Sequence, residues 1–99
     1  MPQNPIQVQP IPGTKSALGI TTNTVVKAAQ GLVAVVTVVN GATPTEGKIY
    51  DSATVAGAGA SNVIATVPTT DGTQVINFPA FSGIVVEPGT NQTISIAYL

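Results

Sequence analysis

The stretch Leu32 to Asn40, Leu-Val-Ala-Val-Val-Thr-Val-Val-Asn, constrains this chain more than any other. Five of its nine residues are Val, and a side chain branched at Cβ suits a pleated strand better than a helical turn. Gly31 precedes it, and the turn dipeptide Asn40-Gly41 follows it. Strict alternation puts Leu32, Ala34, Val36 and Val38 on one face and Val33, Val35, Thr37 and Val39 on the other. Both faces are apolar, so both are expected to be covered.

What remains reads as all-β. Short strands are expected over Ala17 to Thr22, Thr24 to Ala29, Lys48 to Asp51, Val63 to Val67 and Gln74 to Phe78. Pro68 and Asp71-Gly72 mark breaks between them. Residues 55 to 62, rich in Gly and Ala, read as a flexible loop. Pro79 interrupts the next strand, and Phe78 and Phe81 beside it are expected to plug one end of the core. Ile84 to Glu87 and Gln92 to Tyr98 read as a hairpin whose turn centres on Pro88-Gly89. In its second arm Ile94, Ile96 and Tyr98 share a buried face, and Thr93, Ser95 and Ala97 a polar one. About seven or eight short strands at this spacing predict a single antiparallel β-sandwich, jelly-roll or Ig-like; periodicity does not choose between those topologies.

Residues 1 to 16 differ in kind. Pro2, Pro5, Pro10 and Pro12 alternate with Gln and with Ile6, Val8 and Ile11. Proline fixes φ and pushes its predecessor toward extended geometry, which rules out a helix and disfavours a central strand. The expected organisation is an extended N-terminal arm over 1–16 and a sandwich domain over 17–99. Within the arm Pro5, Ile6, Gln7, Val8, Gln9, Pro10 and Ile11 are the candidate residues for gripping another subunit.

The inventory of reactive side chains is narrow. With no His and no Cys, the usual zinc and copper ligand sets, disulfides, and Ser-His or Cys-His nucleophile pairs are unavailable. The carboxylates Glu46, Asp51, Asp71 and Glu87 are scattered, with no spacing that suggests a glycosidase pair or a calcium loop. No catalytic residue, metal or cofactor is expected, and the chain does not read as an enzyme. Gly57-Ala58-Gly59 lacks the Lys of a phosphate loop. Asn91-Gln92-Thr93 matches a glycosylation acceptor, a chance match in the absence of a secretory route. Charged residues make up 7% of the chain, against about 25% in an average soluble domain. Lys15, Lys27 and Lys48 are the sole cations and the net charge is −1, which disfavours nucleic acid and membrane surfaces as partners. Residues 1–5 lack the basic start of a signal peptide. A surface so poor in charge suits a protein held against other protein.

Three pieces occur together: Val25-Val26-Lys27-Ala28-Ala29-Gln30-Gly31-Leu32 leading into the Val-rich strand; Lys48-Ile49-Tyr50-Asp51-Ser52; and Gly83-Ile84-Val85-Val86 before a last segment ending Ser95-Ile96-Ala97-Tyr98. Over residues 24 to 99 this layout resembles the small β-sandwich head-decoration, or cement, proteins of tailed bacteriophages. The resemblance implies a structural virion protein on the capsid exterior, made in the host cytoplasm. It implies binding across major capsid protein subunits, assembly as a dimer or trimer, and no catalytic residues. The Pro-rich arm lies outside the resemblance. The alternative is a receptor- or glycan-binding module of a fibre or adhesin, for which Tyr50 and Tyr98 are the candidate aromatics, Tyr98 being the better candidate for the core.

Overall fold

The computed structural model describes residues 15–41 and 44–99. The arm residues Pro5 to Ile11 lie outside that range, whereas Lys15 and Ser16, assigned to the arm by sequence, are the first residues of a strand paired with Tyr98 and Ala97. The described chain forms eight strands: β1 (Lys15–Ile20), β2 (Thr24–Lys27), β3 (Gly31–Asn40), β4 (Gly47–Asp51), β5 (Val63–Val67), β6 (Gly72–Ala80), β7 (Ile84–Glu87) and β8 (Thr93–Tyr98). A 3₁₀ turn at Ala60–Asn62 leads into β5.

The strands make two four-stranded sheets, ordered β1-β8-β3-β6 and β2-β7-β4-β5. Every pairing is antiparallel. The pairs β1·β8, β2·β7, β3·β6 and β4·β5 are nested, first with last and inward to the middle. A chain folded back at its centre as one long antiparallel ribbon, then rolled so that successive strand pairs alternate between two sheets, gives this order. It is the eight-stranded jelly roll. The sandwich is therefore of jelly-roll and not Ig-like topology.

The order corrects the expected hairpin. β7 pairs with β2 and β4, whereas β8 pairs with β1 and β3. The connection between them crosses from one sheet to the other. Its turn is centred on Thr90-Asn91, where Gln92 N–H donates to the Gly89 carbonyl at 3.0 Å and Asn91 takes the positive φ of 61°. Pro88-Gly89 only leads into it. Buried Gln92 fixes the crossing, its Oε1 accepting from Gly89 N–H at 2.9 Å and its Nε2 donating to the Pro68 carbonyl at 2.8 Å. Gly47 leaves room for this amide, because a Cβ there would run into Gln92 Oε1.

Val33, Val36, Val38, Ile49, Ile84, Val86, Ile94 and Ile96 form the core between the sheets. The faces of β3 are not those of strict alternation. Against β8 the pairing steps from Val33↔Tyr98 to Val35↔Ala97, which leaves one extra residue on β3. Such a bulge reverses the facing of everything beyond it. Val33 therefore points inward with Val36 and Val38, while Val35 and Thr37 face outward. A second bulge, between Val38 and Asn40, precedes the strand's exposed end.

Three other expectations are settled at this level. Ile94 and Ile96 are buried and Tyr98 packs on the core, as alternation in the last strand requires. Phe78 and Phe81 are not core plugs: they are 49% and 72% exposed. Phe78 lies on an edge strand directly after the Asn77 bulge, where φ is 48°, and Phe81 lies in the following turn. Residues 52–62 are a tied loop rather than a loose connector. Thr54 N–H donates to Ser52 Oγ at 3.2 Å, Gly57 N–H to Thr54 Oγ1 at 3.0 Å, Gly59 N–H to Asn62 Oδ1 at 2.8 Å, and Asn62 Nδ2 to the Gly57 carbonyl at 2.9 Å.

Candidate interaction surfaces

The outer faces of the two sheets differ in chemistry. On the β2-β7-β4-β5 sheet, alternation places Lys48, Tyr50, Val85 and Glu87 outward, opposite in facing to Ile49, Ile84 and Val86. Tyr50 is nonetheless buried, because its ring lies beside Val85 and its hydroxyl donates to Glu87 Oε1 at 2.6 Å. That hydrogen bond, then burial, then the negative charge of Glu87 push the phenol up to about 12. Glu87 and Glu46 also line a polar cleft of about 450 Å³ together with Lys48, Thr45 and Thr90.

The cleft brings together two carboxylates whose sequence separation gave no hint of it. Glu87 is engaged by Tyr50, so the ring is turned down onto the sheet and not presented to a ligand. The aromatic that the glycan reading needs beside clustered polar groups is therefore missing from this cleft. Tyr98, the other candidate, faces the core. Among the described residues no three of His, Cys, Asp and Glu come close enough to hold a metal ion.

Asp51, the last residue of the interior strand β4, organises the β6–β7 turn. Its Oδ2 accepts from Phe81 N–H at 3.1 Å, and its Oδ1 accepts from Ser82 N–H at 2.7 Å and Gly83 N–H at 3.3 Å. Partial desolvation pulls this carboxyl upward, but the three N–H donors together outweigh it and hold the group below its ordinary value. The result is an exposed phenylalanine on a braced turn. A turn whose backbone is fixed before contact loses little backbone freedom on docking. Sequence reading missed this role, since nothing in a lone Asp at a strand end shows that it reaches a turn thirty-one residues on.

The outer face of the β1-β8-β3-β6 sheet presents Ser16, Leu18, Ser95, Ala97, Val35, Thr37, Thr73 and Val75. None of them is charged. Thr37 and Thr73 hydroxyls bond across the strands at 3.1 Å, and Gly19 N–H donates to Ser95 Oγ at 3.3 Å. Leu18 and Val75 stand 75% and 69% exposed on the two edge strands. The second apolar face expected of the Val-rich strand is thus real, although Val35 and not Val33 belongs to it, and nothing in the described chain covers it.

No protein-family model matches this chain, and comparison with the curated proteins and with the solved structures gives no match.

Proposed function

We propose that this chain is a structural virion protein that decorates and stabilises the outside of a phage capsid by binding across major capsid protein subunits. The observation that carries the reading is the surface. A sandwich with a charge-free outer sheet face also holds out Phe81 on a turn braced by Asp51. Apolar exposure of this kind marks contact with other protein. The layout resemblance over residues 24 to 99 supports the same reading. The jelly roll agrees with it by analogy only, since capsid and lectin domains both use that architecture.

In this reading residues Pro5 to Ile11 reach a neighbouring subunit, and the sandwich forms a knob on the shell. Arm and sandwich, joined in one chain, convert two weak contacts into a firmer attachment. The test is co-sedimentation with empty shells of the major capsid protein encoded in the same genome. The full chain pellets with the shells at a fixed stoichiometry, and Ile6→Asp with Val8→Asp lowers occupancy without altering the far-UV circular dichroism. A chain that stays in the supernatant at every concentration refutes the reading. Unchanged occupancy for the double variant removes the arm from it.

A further inference from the structure

We propose that two copies of this chain stack, related by a two-fold axis, through the outer faces of their β1-β8-β3-β6 sheets. The proposal does not rest on the virion reading, because such a dimer forms in free solution whatever the chain later binds.

Charge comes first. The seven charged residues are Lys15, Lys27, Glu46, Lys48, Asp51, Asp71 and Glu87. Lys27, Lys48, Asp51 and Glu87 belong to the other sheet, Glu46 directly precedes it, Asp71 lies in the turn before β6, and Lys15 shares the facing of Ala17, which packs on the core. A charged partner surface laid on this face would bury its charges without counter-ions, which is costly. A second copy of the same face brings none.

The face carries both protruding apolar side chains and a depression. Leu18 and Val75 rise on the two edge strands, and beside Leu18 lies a depression of about 160 Å³ floored by Ser16, Val35, Thr37, Ser95 and Ala97. A space of roughly 150 Å³ accepts a benzene-sized group, so the depression takes one aliphatic side chain from an opposing copy. In an isologous contact each copy supplies both the protruding side chain and the recess.

Area fits a modest dimer. Four strands about 4.8 Å apart and averaging about eight residues cover roughly 500 Å² of sheet. Two such faces remove roughly 1,000 Å², the lower bound of a specific interface. Association is therefore concentration-dependent, and the sheets lie about 10 Å apart, as stacked sheets do.

Among the described residues the sheet edges disfavour a competing mode. On the edge strand β6 the ladder is broken by the Asn77 bulge and by Pro79, and on β1 by the bulge at Gly19, whose φ is 65°. The other sheet ends in β2, four residues with a bulge, and β5, five residues with a bulge against β4. Short, bulged or Pro-bearing edges resist strand addition.

Sedimentation velocity of the full chain from micromolar to millimolar concentration tests the proposal. The wild type rises to twice the chain mass. Leu18→Lys and Val75→Lys, both at exposed positions, keep the thermal unfolding midpoint but raise the dissociation constant by about tenfold or more, because each substitution enters the contact twice. Val25→Lys on the opposite sheet leaves it unchanged. A wild type that stays monomeric or forms a trimer overturns the proposal. So do Leu18→Lys and Val75→Lys variants that dimerise like the wild type, the more so if Ile6→Asp abolishes association, which would assign it to the arm.

Discussion

At the scale of single residues, two acidic side chains do work that their neighbours in sequence do not suggest. Tyr50 holds its proton up to about pH 12 because Glu87 accepts it in a hydrogen bond. The folded value lies above the ordinary 10.0, so the contribution to stability is complete below pH 10 and is lost as pH rises from there toward 12. Tyr50→Phe is expected to cost about 1 kcal/mol at neutral pH and to remove the late step from an absorbance titration of tyrosinate. Asp51 has the opposite sign. Its folded value is depressed below 3.8, so its contribution is present above that pH and is lost as pH falls through the folded value. Asp51→Ala should lower stability at pH 7 by about 1 kcal/mol in a partly solvated setting, read as a lower urea midpoint. The gap to wild type should close in strong acid. Neither partnership was legible beforehand. Tyr50 and Glu87 lie thirty-seven residues apart, and Asp51 and Ser82 thirty-one, and only the strand order brings them together.

At the scale of elements, the strands themselves were the most legible feature. β-Branched runs bounded by Gly, Pro and Asn located most of the strands, but β1 opens at Lys15 and β6 runs on through Pro79 to Ala80, because an edge strand can do without the proline N–H. Ile94, Ile96 and Tyr98 took the buried face that alternation assigns them. Facing failed where a bulge intervened. The extra residue near Ala34 moves Val33 into the core and leaves Val35 outside, and no side chain in a run of Val announces such a step. The hairpin reading failed for a related reason. A turn dipeptide shows that the chain bends, not which strands it then joins, and here the bend at Thr90-Asn91 carries the chain between sheets. A pair of substitutions tests the bulge directly. Val33→Lys buries an unpaired cation and should destabilise by about 4 kcal/mol or more. Val35→Lys should stay within about 1 kcal/mol of wild type in monomer stability, with its effect confined to association. Equal damage at both positions in a denaturant titration would restore strict alternation.

At the scale of the whole molecule, nested pairing turns a linear series of short strands into a jelly roll, and that topology was not legible because periodicity carries no pairing information. The chemistry of the surface was partly legible. A chain with 7% charged residues must expose neutral surface somewhere, but which sheet receives the charges depends on the fold. The Val-rich strand that first constrained the chain runs through the middle of the sheet whose outer face is uncharged, between β8 and β6, and supplies both the centre of the core and the centre of the proposed contact face. The central proposal is that this molecule binds across the joints of a capsid. Cryo-electron microscopy of shells mixed with the full chain measures that directly. The account predicts sandwich-sized density on the outside of the shell, repeated at each equivalent joint and touching more than one capsid subunit. Shells with no added density, or density restricted to a single tail or fibre vertex, would contradict it.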